Sequence, residues 1–273
     1  MYMDIRKHFE YNPVLDLTAA NIGINRWDWV SIDSEDEEGA KGIMKINKFD
    51  ILPIVGSGGR VDKFFSTRKW KRYDALNCTN ISTDNTIYYR MSLNDLISKF
   101  GKQESHFYFL TNYKEVLGLV SYANLNCQAV YNYLYQVLAD IERSIASVLE
   151  ASVEQSVVIE YFKNSTDPHL REVLETFEEK TKSGAEISIF ELFYLQTVGI
   201  TLKEFCNKLP VPLKKLNKYS AKFSDQGTYG KLRNKIMHPV RPILSDQDSI
   251  TQMDDLLTDY TAIREILSTG ENC

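Results

Sequence analysis

The hydrophobic rhythm of this chain changes once, near Cys127, and that change constrains the fold more than any single motif does. Beyond it, Val130, Leu134, Val137, Ile141, Ile145 and Val148 recur at steps of three and four residues. Such spacing lays one apolar stripe along a helix of roughly six turns. Before it, short apolar runs alternate with helical patterns, as in an α/β unit. The 273 residues are enough for two domains, each able to bury its own core. The expected architecture is α+β: an α/β module over residues 1–126, then an all-α bundle over residues 127–273.

In the first module, Trp29–Ile32 has the pattern of a strand, and Ser34 is placed to cap a helix that runs to about Lys48 with acidic residues in its first turn. Asp50–Val55 predicts a buried strand, Gly56–Gly59 a turn, and Val61–Phe65 a second strand. The order then repeats: Ser92 caps a helix through Phe100, followed by strands at Phe107–Leu110 and Leu117–Val120. Between the two passes, Arg68–Thr86 is polar and irregular, as expected of an insertion or long loop.

In the second half, Asp167 and Pro168 open a helix as N-cap and first residue, and Gly184 closes it. A third helix is expected over Ile189–Leu209, stopped by Pro210 and Pro212, a fourth within Lys214–Met237 with a break near Gly227, and a last from about Asp246 to Leu267. Five helices without a strand make a bundle.

The formal net charge of −5 argues against a general nucleic-acid coat protein, but the charges are segregated. Residues 201–241 hold ten Lys and Arg against Glu204 and Asp225, a local +8, so the remainder carries −13. A basic stretch on an acidic chain suits local phosphate binding, and equally a solvated lysine-rich face. Residues Met1–His8 lack the apolar core of a signal peptide, and no apolar run approaches a membrane span, which points to the cytoplasm. Cys78, Cys127, Cys206 and Cys273 stand far apart, with neither zinc-ligand nor disulfide-framework spacing. His8, His106 and His169 likewise lack metal-ligand spacing and read as surface or packing residues. Tyr131, Tyr133 and Tyr135 fit a packing or dimer surface, and Asp140 and Glu142 fit solvated positions on the first long helix, although either could orient Arg233.

Two stretches carry a family resemblance in the first module. Phe49-Asp50-Ile51-Leu52-Pro53-Ile54-Val55 and Glu115–Leu125, within residues 10–126, resemble the CBS-domain pair. The resemblance implies a cleft for an adenine-containing nucleotide, with Ser121 and Asn124 at the positions that hold ribose hydroxyls. Asn124 replaces the family's acidic residue and is a weaker acceptor. The first copy, from Gly59-Arg60-Val61 onward, shows no equivalent pair.

Lys231-Leu232-Arg233-Asn234-Lys235-Ile236-Met237-His238-Pro239 resembles the signature of HEPN domains: an Arg, a polar residue after it, and a His late in a helical domain. That family implies a metal-independent endoribonuclease whose dimer brings two Arg and two His to one phosphate. Histidine can move protons near neutral pH, and arginine offers a planar fork to phosphate oxygens. On a helix Asn234 and His238 share a face, and Arg233 is turned about 140° from His238. Pro239 disfavours helical geometry at His238. Attack by the RNA's own 2′-hydroxyl excludes DNA and leaves a 2′,3′-cyclic or 3′-phosphate.

The expected catalytic residues are Arg233, Asn234 and His238, with Lys231, Lys235 and Arg241 guiding the RNA backbone. Neither metal nor cofactor is required for that chemistry, and the adenine nucleotide would be a regulatory ligand. The implied partners are RNA, a second copy of the chain and, in a stress-, toxin- or phage-defence role, an antitoxin. The alternative is a non-catalytic nucleotide sensor or adaptor that dimerises through its helices.

Overall fold

A computed structural model describes residues 17–67, 73–102, 105–238, 242–244 and 247–270. The chain divides into two compact units, Met1–Ala129 and Val130–Cys273. Strands belong to the first, and helices account for the regular structure described in the second.

The first unit contains, in order, α1 (Ala19–Ile22), β1 (Ile24–Asn25), α2 (Glu37–Asn47), β2 (Ile51–Val55), β3 (Val61–Thr67), β4 (Leu76–Asn80), β5 (Thr86–Tyr88), α3 (Leu93–Lys102), β6 (Phe107–Thr111) and β7 (Val116–Ser121). They form a three-stranded sheet, β2-β3-β4, and a four-stranded one, β1-β7-β6-β5. The repeat expected from sequence is present in the pairing. Ile32 bridges Ile54 in parallel with α2 between them, and β5 runs parallel to β6 with α3 between them. Each parallel step leads into an antiparallel hairpin, β2–β3 or β6–β7. Parallel neighbours need a crossover, and the two helices supply it. Ala40 and Met44 of α2 pack on Leu52, Ile54, Phe65 and Leu76, while α3 buries Leu93, Leu96, Ile97 and Phe100.

Three local expectations are corrected. Trp29–Ile32 makes only the Ile32 bridge instead of a strand. Asp36 replaces Ser34 as the cap of α2, its carboxylate accepting from the Glu38 N–H at 3.1 Å. The polar Arg68–Thr86 segment contains β4, which pairs along β3 from Lys63–Asn80 to Thr67–Leu76. Four of the five β4 residues are exposed, so this strand is held by its backbone ladder and carries no alternating apolar code. Residues 68–72 of the segment lie outside the described residues.

The helical unit is built on α4 (Gln128–Ser152), α5 (Gln155–Asn164), α6 (Pro168–Lys182), α7 (Leu195–Phe205), α8 (Thr228–Met237) and α9 (Gln247–Gly270). The α4 stripe is buried as its spacing requires, although Leu149 takes the place expected for Val148. Asp167 caps α6 by accepting from the His169 N–H at 2.9 Å, with Pro168 in the first turn. The expected third helix is divided: Ile189–Leu192 is a 3-10 turn, Phe193 and Tyr194 are extended, and α7 follows. The fourth is divided too, into 3-10 turns over Leu213–Phe223 and then α8.

The break before α8 depends on close backbone approach. A Cβ on Gly227 would lie 2.5 Å from the carbonyl oxygens of Ala221 and Lys222, and one on Gly230 would lie 2.2 Å from that of Ser224. Only glycine lets α8 start against the preceding turn.

Candidate functional site

Helix α8 sorts its residues by face. Tyr229, Leu232 and Ile236 are buried, whereas Lys231, Asn234 and His238 are exposed at steps of three and four and so share the solvent side. Arg233 is half-buried at the edge of that face. His238 follows the last helical residue with φ −117° and ψ 72°, and its N–H donates to the Lys235 carbonyl at 3.3 Å. The imidazole therefore projects from a helix end, free of the helical rotamer restrictions that would hold it against the preceding turn. Pro239 and Arg241 lie outside the described residues.

Glu142 is the residue for which a solvated position fails. It is half-buried on α4, and its Oε1 accepts from the Leu195 N–H at 2.8 Å, which ties α4 to the first turn of α7. Burial raises its carboxyl above the ordinary range, while the Leu195 N–H and the positive charge of Arg233 pull it back. Arg233 thus stands within electrostatic reach of a carboxylate that is itself fixed. Asp140 is engaged elsewhere, accepting from Tyr260 Oη at 2.8 Å and pairing with Arg264 at 3.4 Å.

Two lysines of the basic stretch are committed to internal contacts. Lys235, expected to guide RNA, is half-buried and donates to Ser249 Oγ on α9 at 3.1 Å. Lys222 pairs with Asp259, which also accepts from Tyr229 Oη. Burial and this carboxylate raise the Tyr229 phenol far above its ordinary range. Lys231 remains exposed on the face of Asn234 and His238.

The start of α7 joins several elements. Tyr194, its N-cap residue, has its hydroxyl 2.8 Å from His169 Nδ1 of α6; His169 Nε2 is 3.5 Å from Asp225 Oδ2; and Gln196 Oε1 accepts from the Asp225 N–H at 3.3 Å. Asp225 belongs to the turn that leads into α8. His169 is a packing residue with two polar partners, a role that no local spacing could reveal, since those partners lie 25 and 56 positions away. Glu142 did carry a local signal: it directly follows Ile141 in the apolar stripe.

In the first unit, Ser121 and Asn124 come together in a capping box. Asn124 Oδ1 accepts from the Ser121 N–H at 2.8 Å and from Ser121 Oγ at 2.9 Å. The same box recurs at Thr18 and Asn21, with both distances 2.8 Å, and a similar one joins Ser82 and Asn85. These boxes are local caps at the starts of turns and helices, a role they serve at all three places.

Among the described residues, no cluster of three or more His, Cys, Asp or Glu is placed to hold a metal ion, and no helix is long and apolar enough to cross a membrane. No protein-family model matches the chain, and no curated protein is significantly similar to it.

Proposed function

We propose that the chain is a metal-independent endoribonuclease of the HEPN type, with Arg233, Asn234 and His238 as its catalytic residues. The observation that carries this is the arrangement on α8: His238 and Asn234 open to solvent on one face beside Lys231, and Arg233 at its edge under the charge of the half-buried Glu142. His238 exchanges protons with the 2′-hydroxyl and the leaving 5′-oxygen. Arg233 neutralises the phosphorane, and Asn234 holds a phosphate or ribose oxygen. One such face supplies a single Arg and His, and a second copy of the chain completes the set.

The first unit is, in this proposal, a CBS-type module that binds an adenine-containing nucleotide and biases the cleft. Its duplicated order of parallel step and hairpin supports the assignment. Asn124 Oδ1 already takes two hydrogen bonds, so a ribose hydroxyl there would accept from the Asn124 amide.

Product chemistry tests the cleavage. An RNA cut at one site should yield a 2′,3′-cyclic or 3′-phosphate and a 5′-hydroxyl, and a single 2′-deoxy substitution at that site should abolish the cut. Cleavage that persists at the 2′-deoxy position would sink the transesterification mechanism.

A further inference from the structure

A groove of 680 Å³ lies within the helical unit, between one face of α4, the Pro210–Leu213 turn and the last turns of α9. Its volume lies within the range of small-molecule sites. From α4 it receives Asp140, Arg143, Ser144, Ser147, Val148 and Ala151, a spacing of three and four that defines a second face beside the buried stripe. The short side chains of Ser144, Ser147 and Ala151 give the groove its depth.

Its two ends differ in chemistry. Arg143 Nε folds back to the Ala139 carbonyl at 3.3 Å, and Arg264 Nη1 reaches Asp140 Oδ2 at 3.4 Å. Arg143 and Arg264 both line the groove, and both contacts lie at the level of Ala139 and Asp140 on α4. Asp140 is the only carboxylate among the described residues that line the groove, and its Oδ2 also accepts from Tyr260 Oη. Two positive charges therefore line the groove with one negative charge whose lone pairs are partly used. Arg143 meets a carbonyl instead of a carboxylate, which leaves its terminal nitrogens available. Away from this end, Val148, Leu213 and Leu267 form an apolar wall.

We propose that this groove is a ligand site for a phosphomonoester, its anionic head held between Arg143 and Arg264 and its ring or chain lying along Val148, Leu213 and Leu267. Paired guanidinium groups match the oxygens of a phosphate, and the remaining positive charge favours an anion over a neutral or cationic ligand. Arg143 also lines a smaller cleft of 190 Å³ with Glu142, Glu150 and Glu191, so it stands between the groove and a carboxylate-lined neighbour.

Calorimetric titration of the full chain with 1-naphthyl phosphate, phenyl phosphate and 1-naphthol tests the site without measuring RNA cleavage and without an adenine nucleotide that the first unit would also take. Both phosphates should bind, with 1-naphthol at least about tenfold weaker. Arg143→Gln and Arg264→Gln, at exposed positions where folding is safe, should each weaken both phosphates at least about fivefold, and Lys180→Gln, exposed on α6 away from the groove, should change neither. Absence of binding by both phosphates at about 5 mM, binding that survives either arginine substitution, or an equal loss in Lys180→Gln would each overturn the proposal.

Discussion

The backbone N–H of Leu195 donates to Glu142 Oε1 at 2.8 Å, which holds a half-buried carboxylate at the start of α7, within reach of the positive charge of Arg233. Burial outweighs both favourable partners and raises the carboxyl above its ordinary value. The folded state then keeps the proton at a pH where the unfolded chain has lost it. Stability from this group is greatest at acid pH and falls as pH rises from the ordinary carboxylate value through the raised one. Glu142→Gln keeps an acceptor for Leu195 and removes the charge. It should melt above the wild type at pH 7, with the gap closing below the ordinary carboxylate range, while RNA cleavage falls because Arg233 loses its counter-charge. A melting-temperature difference independent of pH would contradict this.

Gly230→Ala should be among the more damaging single substitutions in the helical unit. The added Cβ meets a backbone carbonyl at 2.2 Å, which cannot rotate away, so α8 must shift relative to the turn at Ser224. Urea unfolding should show a loss of about 3 kcal/mol. Cleavage should fall further than stability alone explains, because Arg233 and His238 move with the helix.

Ser121→Ala separates a structural role from a binding role. The Ser121–Asn124 box caps a turn in the absence of any nucleotide, so the substitution should cost about 1 kcal/mol in ligand-free protein. Unchanged unfolding would show that the box contributes nothing to the fold.

The His169–Tyr194 contact should be measurable as coupling. His169→Ala and Tyr194→Phe each remove one side of the 2.8 Å hydrogen bond between α6 and the cap of α7. A double-mutant cycle on unfolding should give a coupling of about 1 kcal/mol, and additive effects would mean that the bond carries no net stability.

The sequence made some of this legible and hid the rest for identifiable reasons. The α4 stripe and the Asp167–Pro168 start of α6 could be read because burial period and cap chemistry are local. The division of Ile189–Leu209 could not, because extended Phe193 and Tyr194 interrupt an unbroken apolar pattern. Strand β4 was hidden because Asn77, Cys78, Thr79 and Asn80 are all exposed and held by their backbone. In the candidate site, Arg233 and His238 were singled out by their order at the end of one helix, whereas the charge of Glu142 comes from 91 residues away and Lys235 is turned to Ser249 by tertiary packing. Long-range electrostatic partners leave no spacing to read.

The central claim is that His238 and Arg233 cut RNA without a metal. Incubating the purified full chain with total RNA in the presence of EDTA tests it most directly. Cleavage that is lost in His238→Ala and in Arg233→Ala, with both variants folded by circular dichroism, is the predicted result. RNA left intact by the wild type across protein concentrations, or cut equally by His238→Ala, would contradict it.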